Sequence, residues 1–163
     1  MNFFIFATPR SRSAWLSVFL TGKDSFCYHE LTVEDGWKNT PTLRDEKVVG
    51  AVDTLASLYP DTVYAAFPKA SFFTLERDRN EINASIKKLG FDLDARQIVL
   101  PKHNRIYFDK LNDVGYLAEI WSMIIGEGFD AERAKMLIDM NVQRDINSLI
   151  LKMNKEVLSC QHG

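Results

Sequence analysis

The amino-terminal strand-loop-helix junction constrains the fold more than any other feature of this sequence. Residues 3–7 form a short apolar run rich in phenylalanine, which is typical of a buried strand, and the Thr8-Pro9 pair ends it. After a short polar loop, apolar side chains recur at helical spacing from Ser13 until Gly22. The chain therefore begins as a strand, a loop and a helix.

The same alternation continues along the chain. Three further short apolar runs, at residues 26–28, 47–50 and 71–75, are typical of strands. A helical pattern starts at Arg79 and ends at Gly90. Strands that alternate with helices predict a three-layer α/β/α fold with a central parallel sheet, like that of P-loop NTPases. In such folds, ligands bind beyond the carboxyl ends of the strands.

The last third of the chain is predicted to be helical. An apolar stripe over residues 114–125 indicates one helix, and two more are expected from about Asp130 and from about Asp145. With 163 residues and no linker or internal repeat, residues 1–163 are expected to form a single domain.

Charge and cysteine content narrow the possible functions. The chain has 20 basic and 22 acidic residues, so it has no overall positive field to hold DNA or RNA, and any anion site must be local. Cys27 and Cys160 have neither metal-ligand nor disulfide-framework spacing. No apolar stretch approaches the length of a membrane span. We therefore expect a cytoplasmic protein that binds neither nucleic acid nor a membrane.

The loop between the first strand and the first helix is the best candidate for an anion site. A helix amino terminus presents unpaired N–H groups and a partial positive charge. Arg10 and Arg12 add full charges, and Ser11 and Ser13 add hydroxyl donors, a set that suits a phosphate or a sulfate group. The loop contains no glycine and is not a Walker A motif, so a magnesium-ATP site loses its main support.

This loop, PRSRSAW at residues 9–15, resembles the 5′-phosphosulfate loop of the sulfotransferase family. The family's cofactor is 3′-phosphoadenosine-5′-phosphosulfate (PAPS). The resemblance implies that Arg10 contacts the 5′-phosphosulfate, with Arg12 where the family usually has glycine. The implied contacts at this end of the cofactor are Arg10, Ser11, Arg12, Ser13 and Ala14.

A second element matches the family's 3′-phosphate element, which has an arginine at the end of a strand and a serine in the next helix. Arg77 and Ser85 reproduce it, eight residues apart. An arginine that leaves a strand and a serine about two turns into a helix can converge on one phosphate, which the guanidinium binds through two hydrogen bonds. The alternative is that Arg77 forms a surface ion pair with Asp78 and that Ser85 fills a small packing site.

Sulfuryl transfer needs a base for the acceptor's proton and cations that hold charge on the transferring group. Glu30 stands where several bacterial sulfotransferases carry a catalytic glutamate, and His29 is the second choice because its ordinary pKa is near neutral. Arg10 is the expected catalytic cation. Alternatively, Glu30 and His29 cap a following helix. Adjacent strand residues point to opposite faces, so we expect only one of the pair to reach the acceptor.

The resemblance therefore implies a sulfotransferase that transfers a sulfuryl group from PAPS, without a metal, to a hydroxyl or amine of a small-molecule or glycan acceptor. Two alternatives stay open. One is a nucleotide or small-molecule kinase with an atypical phosphate loop. The other is a catalytically silent nucleotide-binding module.

Overall fold

The centre of the fold is a parallel sheet. The structure is a computed structural model and describes residues 1–31, 46–90, 92 and 94–140. The sheet has five strands in the order β2-β3-β1-β4-β5, and every neighbouring pair is parallel. The strands are β1 (Phe3–Ala7), β2 (Ser25–His29), β3 (Val48–Asp53), β4 (Ser71–Glu76) and β5 (Asn104–Tyr107).

Helices connect the strands and follow the sheet. They are α1 (Ser13–Leu20), α2 (Pro60–Ala66), α3 (Arg79–Lys88), α4 (Val114–Ile124) and α5 (Ala131–Asp139). Aspartates cap three of them, because Asp78, Asp113 and Asp130 accept hydrogen bonds from first-turn N–H groups of α3, α4 and α5. Helix α1 differs, since its N-cap residue Arg12 provides no side-chain acceptor.

The central strand β1 is buried on both faces and separates two apolar cores. On one face, Phe3 and Ile5 pack with side chains of α1, α4 and α5. On the other face, Phe4 and Phe6 pack with residues that include Val63 of α2. Burial of each such phenylalanine stabilises the fold by roughly 1.5–3 kcal/mol. The predicted architecture of helices on both faces of a parallel sheet is confirmed.

A glycine allows β1 and β3 to carry a bulky side chain between them. Phe3 pairs with Gly50 in the sheet register. A β-carbon at Gly50 would lie 2.2 Å from the Phe3 ring, which is far inside van der Waals contact. Only glycine therefore fits opposite Phe3.

The strand order also determines where a ligand site can form. From β1 the chain passes through α1 to β2 on one side, whereas from β4 it passes through α3 to β5 on the other side. Neighbouring strands whose connections leave in opposite directions open a crevice at their carboxyl ends. The crevice lies between the loops that follow β1 and β4.

The predicted strands and helices agree with the structure except in a few places. The strand predicted at residues 47–50 extends to Asp53. Strand β5 was not expected, because in this edge strand only Ile106 is buried and the apolar signal is weak. The helix predicted from Asp145, and residues 32–45, lie outside the described residues. Within the described ranges, no helix has the length and apolar character needed to cross a bilayer.

Candidate functional site

In the loop after β1, an internal hydrogen bond fixes a backbone in which two residues have strained φ angles. Ser11 is fully buried, and its hydroxyl donates to the Thr8 carbonyl oxygen at 2.6 Å. Arg10 has φ 66° and Arg12 has φ 62°, both in the left-handed region. This conformation costs a residue with a β-carbon about 1–2 kcal/mol. Strained residues of this kind cluster at functional sites.

The two elements that the sequence analysis matched to the sulfotransferase family meet in the structure. Arg10 Nε donates to Ser85 Oγ at 2.9 Å, and Arg77 Nη1 donates to the backbone carbonyl of Arg10. These contacts join residues that are 75 and 67 positions apart. Arg77 is fixed further by Glu81, 3.2 Å from its Nε, and by the Phe108 ring, 4.0 Å below its guanidinium carbon. The loop after β1 and the β4–α3 junction therefore form one site.

Several donors at this site have no partner among the described residues. The two terminal amino groups of Arg10 have no partner within the described part of the chain. The same holds for the buried Arg79 Nη1 and the buried Thr8 hydroxyl. Burial lowers the pKa of Arg79, while the nearby Glu76 raises it. Unpaired cationic N–H groups beside an uncapped helix amino terminus provide contacts for an oxyanion.

A cleft of about 520 Å³ lies beside Arg77. Two arginines, four carboxyl side chains and two aromatic rings line it, namely Arg77 and Arg79, Glu76, Asp78, Glu81 and Asp109, and Tyr107 and Phe108. Its size is in the range of small-ligand sites, and its walls combine charged with aromatic surface.

The other side of the loop contacts the end of β2. His29 Nε2 lies 3.1 Å from Ser13 Oγ and 3.4 Å from Glu30 Oε1. The expectation that His29 and Glu30 point to opposite faces is wrong. Strand β2 ends at His29, and Glu30 turns into the left-handed region with φ 56°, which brings the two side chains together.

Glu30 is held by its neighbours on β3. Thr54 N donates to Glu30 Oε2 at 3.2 Å, and Thr54 Oγ1 donates to Glu30 Oε1 at 2.9 Å. Burial and, second, the negative charge of Asp53 raise the pKa of Glu30 to about 7, although the hydrogen bonds from Thr54 oppose the shift. Glu30 can therefore gain or lose a proton near neutral pH.

Asp53 stands at the carboxyl end of β3, next to Glu30. It is fully buried, its Oδ1 accepts from Ala56 N at 2.9 Å, and its negative charge raises the pKa of Glu30. The site therefore contains a pair of neighbouring carboxyl groups.

The structure brings together most, but not all, of the predicted site residues. Arg10, Arg77 and Ser85 form one cluster, and Ser13, His29 and Glu30 form another. The Arg12 side chain instead donates to Asn112 Oδ1 at 2.8 Å and lies 4.3 Å over the Trp15 ring. The Ser11 hydroxyl faces Thr8, and Ala14 lies in the first turn of α1.

The sequence analysis gives Thr8 and Arg79 no role in the site. Asp53 and Thr54 follow an apolar run and could border the cleft at the end of a strand, although a cap of the following helix is the favoured prediction. In the structure, Asp53 accepts from Ala56 N, and Thr54 donates to Glu30. A signal existed for Arg79, which repeats the charge of Arg77 two positions later, and for Asp53, which ends an apolar run. Nothing local in the sequence indicates that Thr54 reaches Glu30.

Comparison with known proteins does not identify a family. No protein-family model matches the chain, and no curated protein is similar to it. Within residues 1–31, 46–90, 92 and 94–140, no group of three or more His, Cys, Asp or Glu side chains has an arrangement that could hold a metal ion.

Proposed function

We propose that this protein is a sulfotransferase that transfers a sulfuryl group from PAPS to a hydroxyl or amine of a small-molecule or glycan acceptor. One observation carries the proposal. Arg10, Arg77 and Ser85, which come from two distant sequence elements, meet at the crevice between β1 and β4. A single PAPS molecule that contacts both elements requires them to lie this close together.

The loop after β1 would bind the 5′-phosphosulfate end of PAPS. Arg10 offers its two terminal amino groups, and α1 offers the N–H groups of its first turn. Because these donors are fixed by the hydrogen bond of Arg10 to Ser85, little ordering is needed when the anion binds.

The β4–α3 junction would bind the 3′-phosphate and the nucleoside. Arg77 and Ser85 are the phosphate contacts, and the cleft beside Arg77 has room for the nucleoside. Tyr107 and Phe108 give it aromatic surface on which a purine ring can stack.

In the transfer, the hydroxyl oxygen or the amine nitrogen of the acceptor attacks sulfur. The new bond to sulfur forms as the bond between sulfur and the bridging oxygen of the 5′-phosphate breaks, and 3′-phosphoadenosine-5′-phosphate leaves. Glu30 takes the acceptor's proton, since its pKa of about 7 makes it a competent base at neutral pH. Arg10 stabilises the charge on the transferring group and on the leaving phosphate.

Asp53 favours a second candidate, a kinase that uses magnesium-ATP. It lies beside Glu30 at the edge of the sheet that carries the anion loop. In phosphoryl transfer, as in sulfuryl transfer, a carboxylate at this place would orient the attacking hydroxyl and take its proton. This candidate predicts nucleotide binding that depends on magnesium, whereas the sulfotransferase does not require the metal.

Calorimetric titration with 3′-phosphoadenosine-5′-phosphate and with magnesium-ATP separates the candidates. We expect the bisphosphate to bind tightly without metal and ATP to bind much more weakly. Arg77→Ala should weaken bisphosphate binding about 10- to 100-fold, because charge-assisted hydrogen bonds are lost. Arg77→Lys, which keeps the charge but loses the planar fork, should fall between Arg77→Ala and the wild type.

Lys69→Ala is the matched control. It removes an exposed cation just before β4, at the end of the sheet opposite to Arg77, and should leave the affinity unchanged. Binding of magnesium-ATP alone would support the kinase. Binding of neither nucleotide would contradict both candidates and favour a catalytically silent protein.

A further inference from the structure

The carboxyl groups of Glu30 and Asp53 come together because of the sheet register. His29 pairs with Val52 across β2 and β3, so the next residues, Glu30 and Asp53, follow side by side. Asp53 is the last residue of β3 and still pairs with Phe6 of β1, whereas Glu30 lies just beyond the end of β2. Glu30 N donates to Val52 O at 3.0 Å, which extends the hydrogen bonding between β2 and β3 by one bond beyond His29. The left-handed turn at Glu30 then directs its side chain to β3.

We propose that Asp53 is a positioning residue for Glu30 and that the two carboxyl groups share one proton after Glu30 has received it from the acceptor. The role of Glu30 as the base rests on the proposed function. The carboxyl pair itself rests on the structure of the unliganded site and holds for any reaction that takes place there.

Both carboxyl groups are fixed and removed from water. Asp53 is fully buried, and the Glu30 side chain is 15% exposed. Thr54 donates to Glu30 through its N–H and its hydroxyl, and Ala56 N–H donates to Asp53. Neither side chain can turn away from the other without losing these hydrogen bonds.

Two neighbouring carboxylates in a buried site repel each other, so the first proton binds more tightly than it would to either group alone. Asp53, whose negative charge helps to raise the pKa of Glu30, is the second acceptor for that proton. Asp53 thereby strengthens Glu30 as a base without touching the acceptor.

The groups that face Glu30 have opposing effects on its charge. Asp53, on β3, disfavours the carboxylate, while Thr54 favours it by hydrogen bonding. His29, at the end of β2, places its Nε2 3.4 Å from Glu30 Oε1 and becomes an attractive charge only when it is protonated. Ser13, on α1, contacts His29 Nε2 and carries no charge.

Two substitutions of similar size test the proposal, because they should shift the titration of Glu30 in opposite directions. Asp53→Asn keeps an oxygen for Ala56 N–H but removes the repelling charge, so the pKa of Glu30 should fall by about one unit. Thr54→Val removes the hydroxyl donor at nearly constant shape, so the pKa should rise. A merely structural role predicts no such opposition.

The titration is measured by ¹³C NMR of the glutamate carboxyl carbons in the unliganded protein, with Glu30 assigned by its loss in Glu30→Gln. In parallel, the acidic limb of the pH profile of kcat/KM should shift to lower pH in Asp53→Asn and to higher pH in Thr54→Val. A uniform loss of rate with no movement of the limb would mean that Asp53 only supports the fold.

The two proposals can fail separately. If Glu30 titrates near neutral pH and responds to both substitutions, but 3′-phosphoadenosine-5′-phosphate does not bind, the carboxyl pair stands and the sulfotransferase is wrong. If the bisphosphate binds, but Glu30 titrates as an ordinary glutamate in all three proteins, the carboxyl pair is wrong and the sulfotransferase stands.

Discussion

The loops at the carboxyl edge of the sheet divide into two halves of opposite chemistry. After β1 and β4, the chain carries Arg10, Arg77 and Arg79, and two of the nearby carboxylates are paired, Glu81 with Arg77 and Glu76 with Arg105. After β2 and β3, it carries Glu30 and Asp53. Strand β1 lies between β3 and β4, so the two halves adjoin at its loop.

The halves also differ in how their charges are used. The arginine half stays charged at all physiological pH values, and it keeps terminal N–H groups without a partner in the described part of the chain. In the carboxyl half, backbone and side-chain donors hold the oxygens, and Glu30 changes its charge near neutral pH. The arginine half is therefore suited to binding an anion, and the carboxyl half to moving a proton.

The sharpest test of this division is Glu30→Gln, which removes the base but keeps the shape of the side chain. Because general-base catalysis contributes about 100- to 10,000-fold, turnover with an acceptor should fall by that factor. Affinity for 3′-phosphoadenosine-5′-phosphate, measured by calorimetry, should be unchanged. Glu132→Gln, at an exposed position of α5, is the control and should alter neither value. Parallel losses of turnover and affinity in Glu30→Gln would show that the halves are not separate.

The carboxyl half should also control how stability depends on pH. The folded-state pKa of Glu30 is about 7, above the ordinary value of 4.5, so between these values the folded state holds a proton that the unfolded state has lost. The stabilising contribution is fully present below pH 4.5 and is lost as the pH rises through 7. We expect the free energy of unfolding to fall by on the order of 2 kcal/mol across this window.

Urea denaturation at pH 5 and pH 8 measures this dependence. Glu30→Gln should lose much of the fall in stability, whereas Glu132→Gln should follow the wild type. An equal fall in Glu30→Gln and the wild type would show that other groups cause it, and that Glu30 has an ordinary pKa in the folded protein.

The arginine half was more predictable from sequence than the carboxyl half. Arg10 and Arg77 lie at strand-to-helix junctions, and Ser85 lies about two turns into the helix after Arg77. Local apolar periodicity predicts such junctions well, and parallel strands place them at one edge of the sheet. The contact between Glu30 and Asp53 depends on the register of β2 against β3 and on one left-handed residue. Neither the register nor the left-handed residue can be predicted from a local sequence pattern. A glycine would have indicated a left-handed backbone at this position, but a glutamate does not.

The strands differ in the same way in how well the sequence predicts them, because only a strongly apolar run can be recognised locally. Buried strands such as β1 are apolar on both faces and stand out in the sequence, whereas β5 has only Ile106 buried. Its neighbours Asn104, Arg105 and Tyr107 are exposed at the edge of the sheet, so they read as a polar loop.

The strained backbone of the arginine half gives the smallest predicted effect. Arg12 has φ 62° and ψ 29°, a left-handed conformation that glycine adopts freely and alanine does not. The Arg12 side chain hydrogen-bonds to Asn112 and stacks on Trp15. Two variants that both lack this side chain therefore differ only in the energetic cost of the left-handed backbone. Arg12→Gly should be more stable than Arg12→Ala by about 1 kcal/mol in urea denaturation.

Position 14, two residues later, provides a control of opposite sign. Ala14 lies in the first turn of α1, where glycine is the poorer residue, so Ala14→Gly should destabilise the protein by up to about 1 kcal/mol. A preference for glycine at position 12 and for alanine at position 14 would locate the strain in the loop rather than in the helix. If Arg12→Ala is as stable as Arg12→Gly, the left-handed turn is not maintained without the arginine side chain, and the contacts with Asn112 and Trp15 are what hold the loop in its binding shape.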